Sequence, residues 1–106
     1  YEEMKKEIAT FSEKYAQIYI YGAGLYGRAC LKMMRNLGLD VKAFLVTSAD
    51  RACNEVDGVP VVEIKDILLG DNSGVIIAVG VTNVNSVLDV MKEKEPTYSN
   101  YMLYAL

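Results

Sequence analysis

Histidine is missing from this chain of 106 residues. Its absence removes the side chain most often used as a general base and the commonest zinc ligand. Cysteine is scarce: Cys30 and Cys53 stand far apart without a C-x-x-C spacing. No paired-cysteine metal site is encoded, and two reduced thiols in a cytoplasmic protein are expected. No block of lysine and arginine occurs; acids and bases are mixed along a chain of formal charge −3, which gives nucleic acid no electrostatic footing. No apolar run approaches the ~20 residues of a membrane span, and the first residues carry no signal-peptide pattern. A metal centre, a nucleic-acid surface and a membrane span are therefore not expected.

What is present is 52% apolar and 24% charged residues, the balance of a globular protein rather than a disordered one. The length suits a single domain, residues 1–106, with its own core. Tyr1 is not an initiator methionine, so the domain is read as part of a longer chain. Met4, Ile8, Phe11 and Tyr15 fall on one helical stripe, predicting an amphipathic N-terminal helix. Strands are then expected at 17–21, 41–46, 58–62, 74–80 and 101–104, and helices at 25–37, 64–69 and 83–94. Gly38 and Pro96 supply helix stops. Residues 47–57 read as a polar loop, and Pro60 marks its strand as an edge. "GVIIAVG", 74–80, has the unbroken apolar character of a strand buried on both faces. This alternation predicts an α/β fold: a doubly wound, Rossmann-like parallel sheet of five strands in the order 3-2-1-4-5, preceded by a helix.

The first strand runs into Gly22, Gly24 and Gly27, spaced G-x-G-x-x-G and followed by a helix. The first glycine permits a tight turn. The second lets backbone approach a pyrophosphate, and the third lets helix and strand pack closely. Free N–H groups and the positive helix end favour an anion there. Ala23, Leu25, Tyr26 and Arg28 belong to the same candidate site, Arg28 as a further charge for a phosphate and Tyr26 as a ring to stack on a ligand. A dinucleotide-binding enzyme places an acidic residue roughly 20 positions past the glycines, on the ribose; here that position falls on Thr47 and Ser48. Asp50 and Arg51 come later, in the loop. NAD(P) therefore fits less well. Across the sheet, "VGVTNVNS" offers Gly80 as room and Thr82, Asn83 and Asn85 as neutral hydrogen-bonding groups, or Thr82 and Asn83 as helix caps. Neither loop supplies a nucleophile with its base, so no catalytic residue is assigned. Any chemistry would fall to Tyr26, Lys65, Asp50 or a neighbouring domain.

"IYIYGAGLYGRA", "VKAFLV", "DGVPVVEI" and "VIIAVG" together resemble the N-terminal Rossmann-like domain of bacterial sugar-nucleotide and polysaccharide-synthesis proteins, carried by sugar acyltransferases of the PglD type. The resemblance spans roughly residues 17–105. It implies that Gly22, Ala23, Gly24 and Gly27 face the phosphates of a UDP-sugar and that Gly80 forms the opposite wall. It also implies a linked transferase domain in capsule or lipopolysaccharide synthesis. The family's acidic residue after the second strand and its glycine-loop histidine are replaced here by Thr47-Ser48 and Tyr26. The left-handed β-helix that bears the acyltransferase site is absent from these residues. The expected function is a nucleotide-sugar-binding accessory domain of a surface-polysaccharide transferase, not catalytic by itself. The alternatives are an NAD(P)-binding oxidoreductase or redox-sensing domain, a CoA-binding domain, and a packing or dimerisation module. Assembly into a homo-oligomer stays open.

Overall fold

The computed structural model describes residues 2–48 and 53–104. The chain opens with α1 (Glu2–Ser12), β1 (Gln17–Tyr21), α2 (Leu25–Asn36) and β2 (Ala43–Val46). Two strands then follow closely, β3 (Glu55–Val56) and β4 (Val59–Glu63). A 3-10 turn (Ile64–Asp66), β5 (Ser73–Ile77), a second 3-10 turn (Val81–Asn83), α3 (Val84–Lys94) and β6 (Tyr101–Leu103) complete the chain. The strands form one mixed sheet in the order β3-β4-β2-β1-β5-β6. All neighbouring pairs are parallel except β3 with β4.

Six strands in that order replace the five expected, and the difference traces to the two-residue strand β3. Asp57 and Gly58 both have positive φ, 51° and 85°. That is the backbone of a two-residue type I′ hairpin turn, whose twist matches the flanking strands and which favours Asp-Gly. Val56 pairs with Val59 and Glu55 with Pro60, so β3 covers what was read as the outer edge. Pro60 is tolerated because the ladder with β2 begins one residue later, where Val61 pairs with Phe44. The expected helix at 64–69 shortens to one 3-10 turn.

Two apolar layers sandwich the sheet. On one face α1 and α2 bring Met4, Ile8, Phe11, Cys30, Leu31 and Met34 against Ile18, Ile20, Phe44, Val61 and Ile76. On the other, α3 and the segment after β4 bring Val87, Met91, Ile64 and Leu69 against Tyr19, Tyr21, Leu45, Val75 and Ile77. Residues one apart on β1 thus serve opposite layers, as the two-residue period of a strand requires. Burying a side chain such as Ile8 or Ile76 stabilises the fold by about 1.5–3 kcal/mol each. A space left by Gly74 admits the rings of Phe11 and Tyr15: a Cβ there would lie 2.5 Å from Tyr15 Cδ2 and 2.9 Å from Phe11 Cε2.

Candidate functional site

β1 leads through α2 to β2 on one side of it, whereas β5, its other neighbour, leads through α3 to β6 on the far side. The carboxyl ends of β1 and β5 therefore flank the point where the winding reverses, the place where sheets of this kind leave a crevice. The glycine turn opens onto it. Gly22 donates its N–H to the Leu45 carbonyl at 2.8 Å, which ties the start of the turn to the end of β2. Gly22 has φ +109°, and a Cβ there would lie 2.5 Å from the Ala78 carbonyl oxygen. Gly27 is equally constrained, because its Cβ would overlap the carbonyl oxygen of Gly22. The first and third glycines are thus required by the chain's own packing.

Gly24 is different. It caps the start of α2 in an extended conformation, and among the described residues nothing lies within 4 Å of where its Cβ would be. The first turn of α2 contains no acidic residue. Its partial positive charge and its first N–H groups, which have no partner within the helix, therefore meet no carboxylate of their own first turn.

On the opposite wall Gly80 precedes the 3-10 turn, and a Cβ there would sit 3.7 Å from Tyr26 Cε2. The Tyr26 ring, 47% exposed, thus bridges the two loops. With Ile77, Val79, Val81, Val84, Leu103 and Tyr104 it lines a cavity of about 380 Å³. Thr82 and Asn83 are exposed, and Asn83 stands at the start of α3 without a side-chain cap bond. The capping role open to Asn83 in the sequence is therefore not used. Asn85 is exposed on the first turn of α3.

The remaining candidates separate. Thr47, at the end of β2, lies with its Oγ1 2.6 Å from the Tyr21 hydroxyl, so the position expected to read a ribose is joined to a buried phenol. Burial pushes the Tyr21 phenol above its ordinary value, partly offset by that bond. Ser48 follows, exposed. Arg28 lines a groove of about 570 Å³ along the outside of α2 with Leu25, Lys32, Arg35, Asn36 and Asp57. Ala23 is half-buried against the α1–α2 layer. Lys65 is exposed and stands 3.5 Å from Glu63. Asp50 and Arg51 lie outside the described residues. Among the described residues no group of three or more histidine, cysteine or acidic side chains gathers in metal-binding range, and no helix is long and apolar enough to cross a membrane.

Two residues at this end of the sheet were not singled out from the sequence. By sequence Tyr21 is only the last residue of a strand; its polar tip beside a strand-end threonine is the available signal. The segment "DGVPVVEI" gives Glu63 no recognisable role, although it ends a strand on the same side as the glycine turn.

Fold and turn together define a class: small α/β domains with a mostly parallel sheet and a glycine-rich strand-to-helix turn where the winding reverses. Within it, residues 17–88 match the family model of the PglD N-terminal domain. The chain belongs to that family, the N-terminal domain of PglD-type acetyltransferases in polysaccharide biosynthesis. The match runs from β1 into α3 and leaves α1 and β6 outside it. Comparison with curated proteins gives no match.

Proposed function

We propose that this domain binds a nucleotide sugar for a transferase of surface-polysaccharide synthesis and performs no catalytic step itself. The observation that carries the reading is Gly24. Where Gly22 and Gly27 are glycines because the chain's own atoms crowd them, Gly24 has open space in front of it among the described residues. It stands at a helix start whose first turn has no acid. A pyrophosphate approaching there meets backbone N–H groups and the positive end of α2. The rest of the ligand lies along the opposite wall, where Gly80 leaves room and Thr82, Asn83 and Asn85 offer neutral donors and acceptors to sugar hydroxyls. The family's setting in polysaccharide biosynthesis favours a sugar over a nicotinamide at that end.

The openness around Gly24 makes the test clean. Gly24→Val places a branched side chain in free space, so the fold is retained at a cost of up to about 1 kcal/mol, while the approach of a diphosphate is blocked. Calorimetric titration of both proteins with UDP-N-acetylglucosamine, NAD and CoA is expected to show the sugar nucleotide binding best to the wild type and no ligand binding to the variant. Micromolar NAD affinity with no response to the sugar nucleotide would overturn the reading.

A further inference from the structure

The two edges of the sheet are unlike. At one, β3 has two residues, begins on Glu55 and ends at the Asp57-Gly58 turn, the short, charged form that discourages another strand from pairing. At the other, β6 reads Tyr-Met-Leu, without proline or charge, and among the described residues no strand pairs its outer side. Asn100 accepts from the Val75 N–H at 2.9 Å, and Tyr104 donates to the Ile77 carbonyl at 2.8 Å. Alternate residues of a parallel strand face a given neighbour, so the backbone of Leu103 points away from β5. Its side chain is 44% exposed. Between this edge and the flank of α1 lies a cavity of about 530 Å³, with Lys6, Glu7, Thr10 and Lys14 on the helix side and Met102 and Leu103 on the strand side.

We infer that this edge is an interface between two copies of this chain, joined by antiparallel pairing of β6 with β6 and by the flanks of their α1 helices. α1 lies over the outer strands: Phe11 fills the space at Gly74 of β5 and also lines the cavity beside β6. With paired strands about 4.8 Å apart, joining the two edges sets the α1 helices side by side and antiparallel and merges their cavities. The charge pattern identifies the occupant as a second copy. A two-fold interface is self-complementary: where one residue meets another, the reverse contact is made as well. Glu7 lies near the middle of α1 and Lys14 just past its end, both on the cavity wall, and among the described residues neither has an ion pair. With the two-fold axis beside Thr10 and Phe11, Glu7 of each copy meets Lys14 of the other. Met102 and Leu103 supply the apolar contact at the strands. Because the β3 edge is blunted, association closes at the dimer and does not run on into a fibre.

Sedimentation equilibrium at protein concentrations up to about a millimolar is expected to show a reversible dimer. Glu7→Lys and Lys14→Glu each set like charges against one another in both reciprocal contacts, and each is expected to weaken dimerisation by roughly tenfold or more. Both positions are exposed, so the fold is retained, and circular dichroism checks that it is. The double variant, Glu7→Lys with Lys14→Glu, restores opposite charges across the axis and is expected to return the dimer to near wild-type strength. Two unrelated surface effects would add instead of cancelling. Leu103→Lys places a charge on the strand edge and is expected to leave a monomer. A wild type that stays monomeric throughout, single variants that dimerise as the wild type does, or a double variant no stronger than the singles would overturn the assignment.

Discussion

The Tyr21 side chain is 2% exposed, so its hydroxyl needs a partner within the protein, and Thr47 provides it at 2.6 Å. Removing that partner leaves a buried polar group unpaired, which costs about 1–3 kcal/mol. Thr47→Val is therefore expected to lower stability by that amount. Tyr21→Phe combined with Thr47→Val is expected to recover most of the loss, because neither polar group then remains. Urea unfolding of the single and double variants measures both. The same pair limits what sequence alone reveals about the site. Counting from Gly27 lands on Thr47 at the end of β2, but the count gives no sign that a phenol from the neighbouring strand occupies the hydroxyl. That information resides in the register of β1 and β2, which pair Tyr21 with Leu45.

At the scale of elements, the three α-helices and most of the longer strands were legible because each carries its own period, whereas the helix expected at 64–69 is one 3-10 turn. α1 shows a helical stripe and β5 an apolar run, and both are features of contiguous residues. The β3–β4 hairpin was missed for the opposite reason. β3 has only two residues, Glu55–Val56, too short for any period, and Pro60 argued for an edge. The signal present was the dipeptide Asp57-Gly58 between two valines, a turn cue rather than a strand cue. Arg35 of α2 donates to the Asp57 carbonyl oxygen, so the turn is also fastened to the helix above it. Gly58, at φ +85°, is where the turn is most sensitive. Gly58→Val forces a β-branched residue into a left-handed conformation and is expected to cost about 1–2 kcal/mol or more. Thermal unfolding of the variant beside wild type checks the value.

For the molecule as a whole, the buried titratable groups predict a response to alkali. Burial pushes the Cys30 thiol up from 9.0 to about 12. It also raises Tyr98, with further contributions from Tyr15, Glu95 and Tyr19, and it raises Tyr21. In the unfolded chain these groups release protons at their ordinary values, so between about pH 9 and 12 the unfolded state binds fewer protons than the folded one. Stability is then fully present below about pH 9 and falls as pH rises, by up to about 1.4 kcal/mol per pH unit for the thiol alone. Urea midpoints measured across that range are expected to decline. Cys30→Ala is expected to make the decline shallower.

The Asp57-Gly58 hairpin also bears on how quickly the chain finds its fold. β1 pairs with β5 across the whole stretch from Tyr21 to Ser73, and β5 pairs with β6 across α3. Each parallel pairing closes a long loop before any ladder bond rewards it, and such closures slow folding. The hairpin alone closes within a few residues, on the microsecond scale of local events. It then presents β4 already paired on its outer side to β2, so the sheet grows inward from a formed edge. Gly58→Val is therefore expected to retard refolding and to leave unfolding nearly untouched in stopped-flow measurements. A variant that instead unfolds faster while refolding at the wild-type rate would place the hairpin late. On the first outcome, the smallest strand in the sheet is the one that sets its timing.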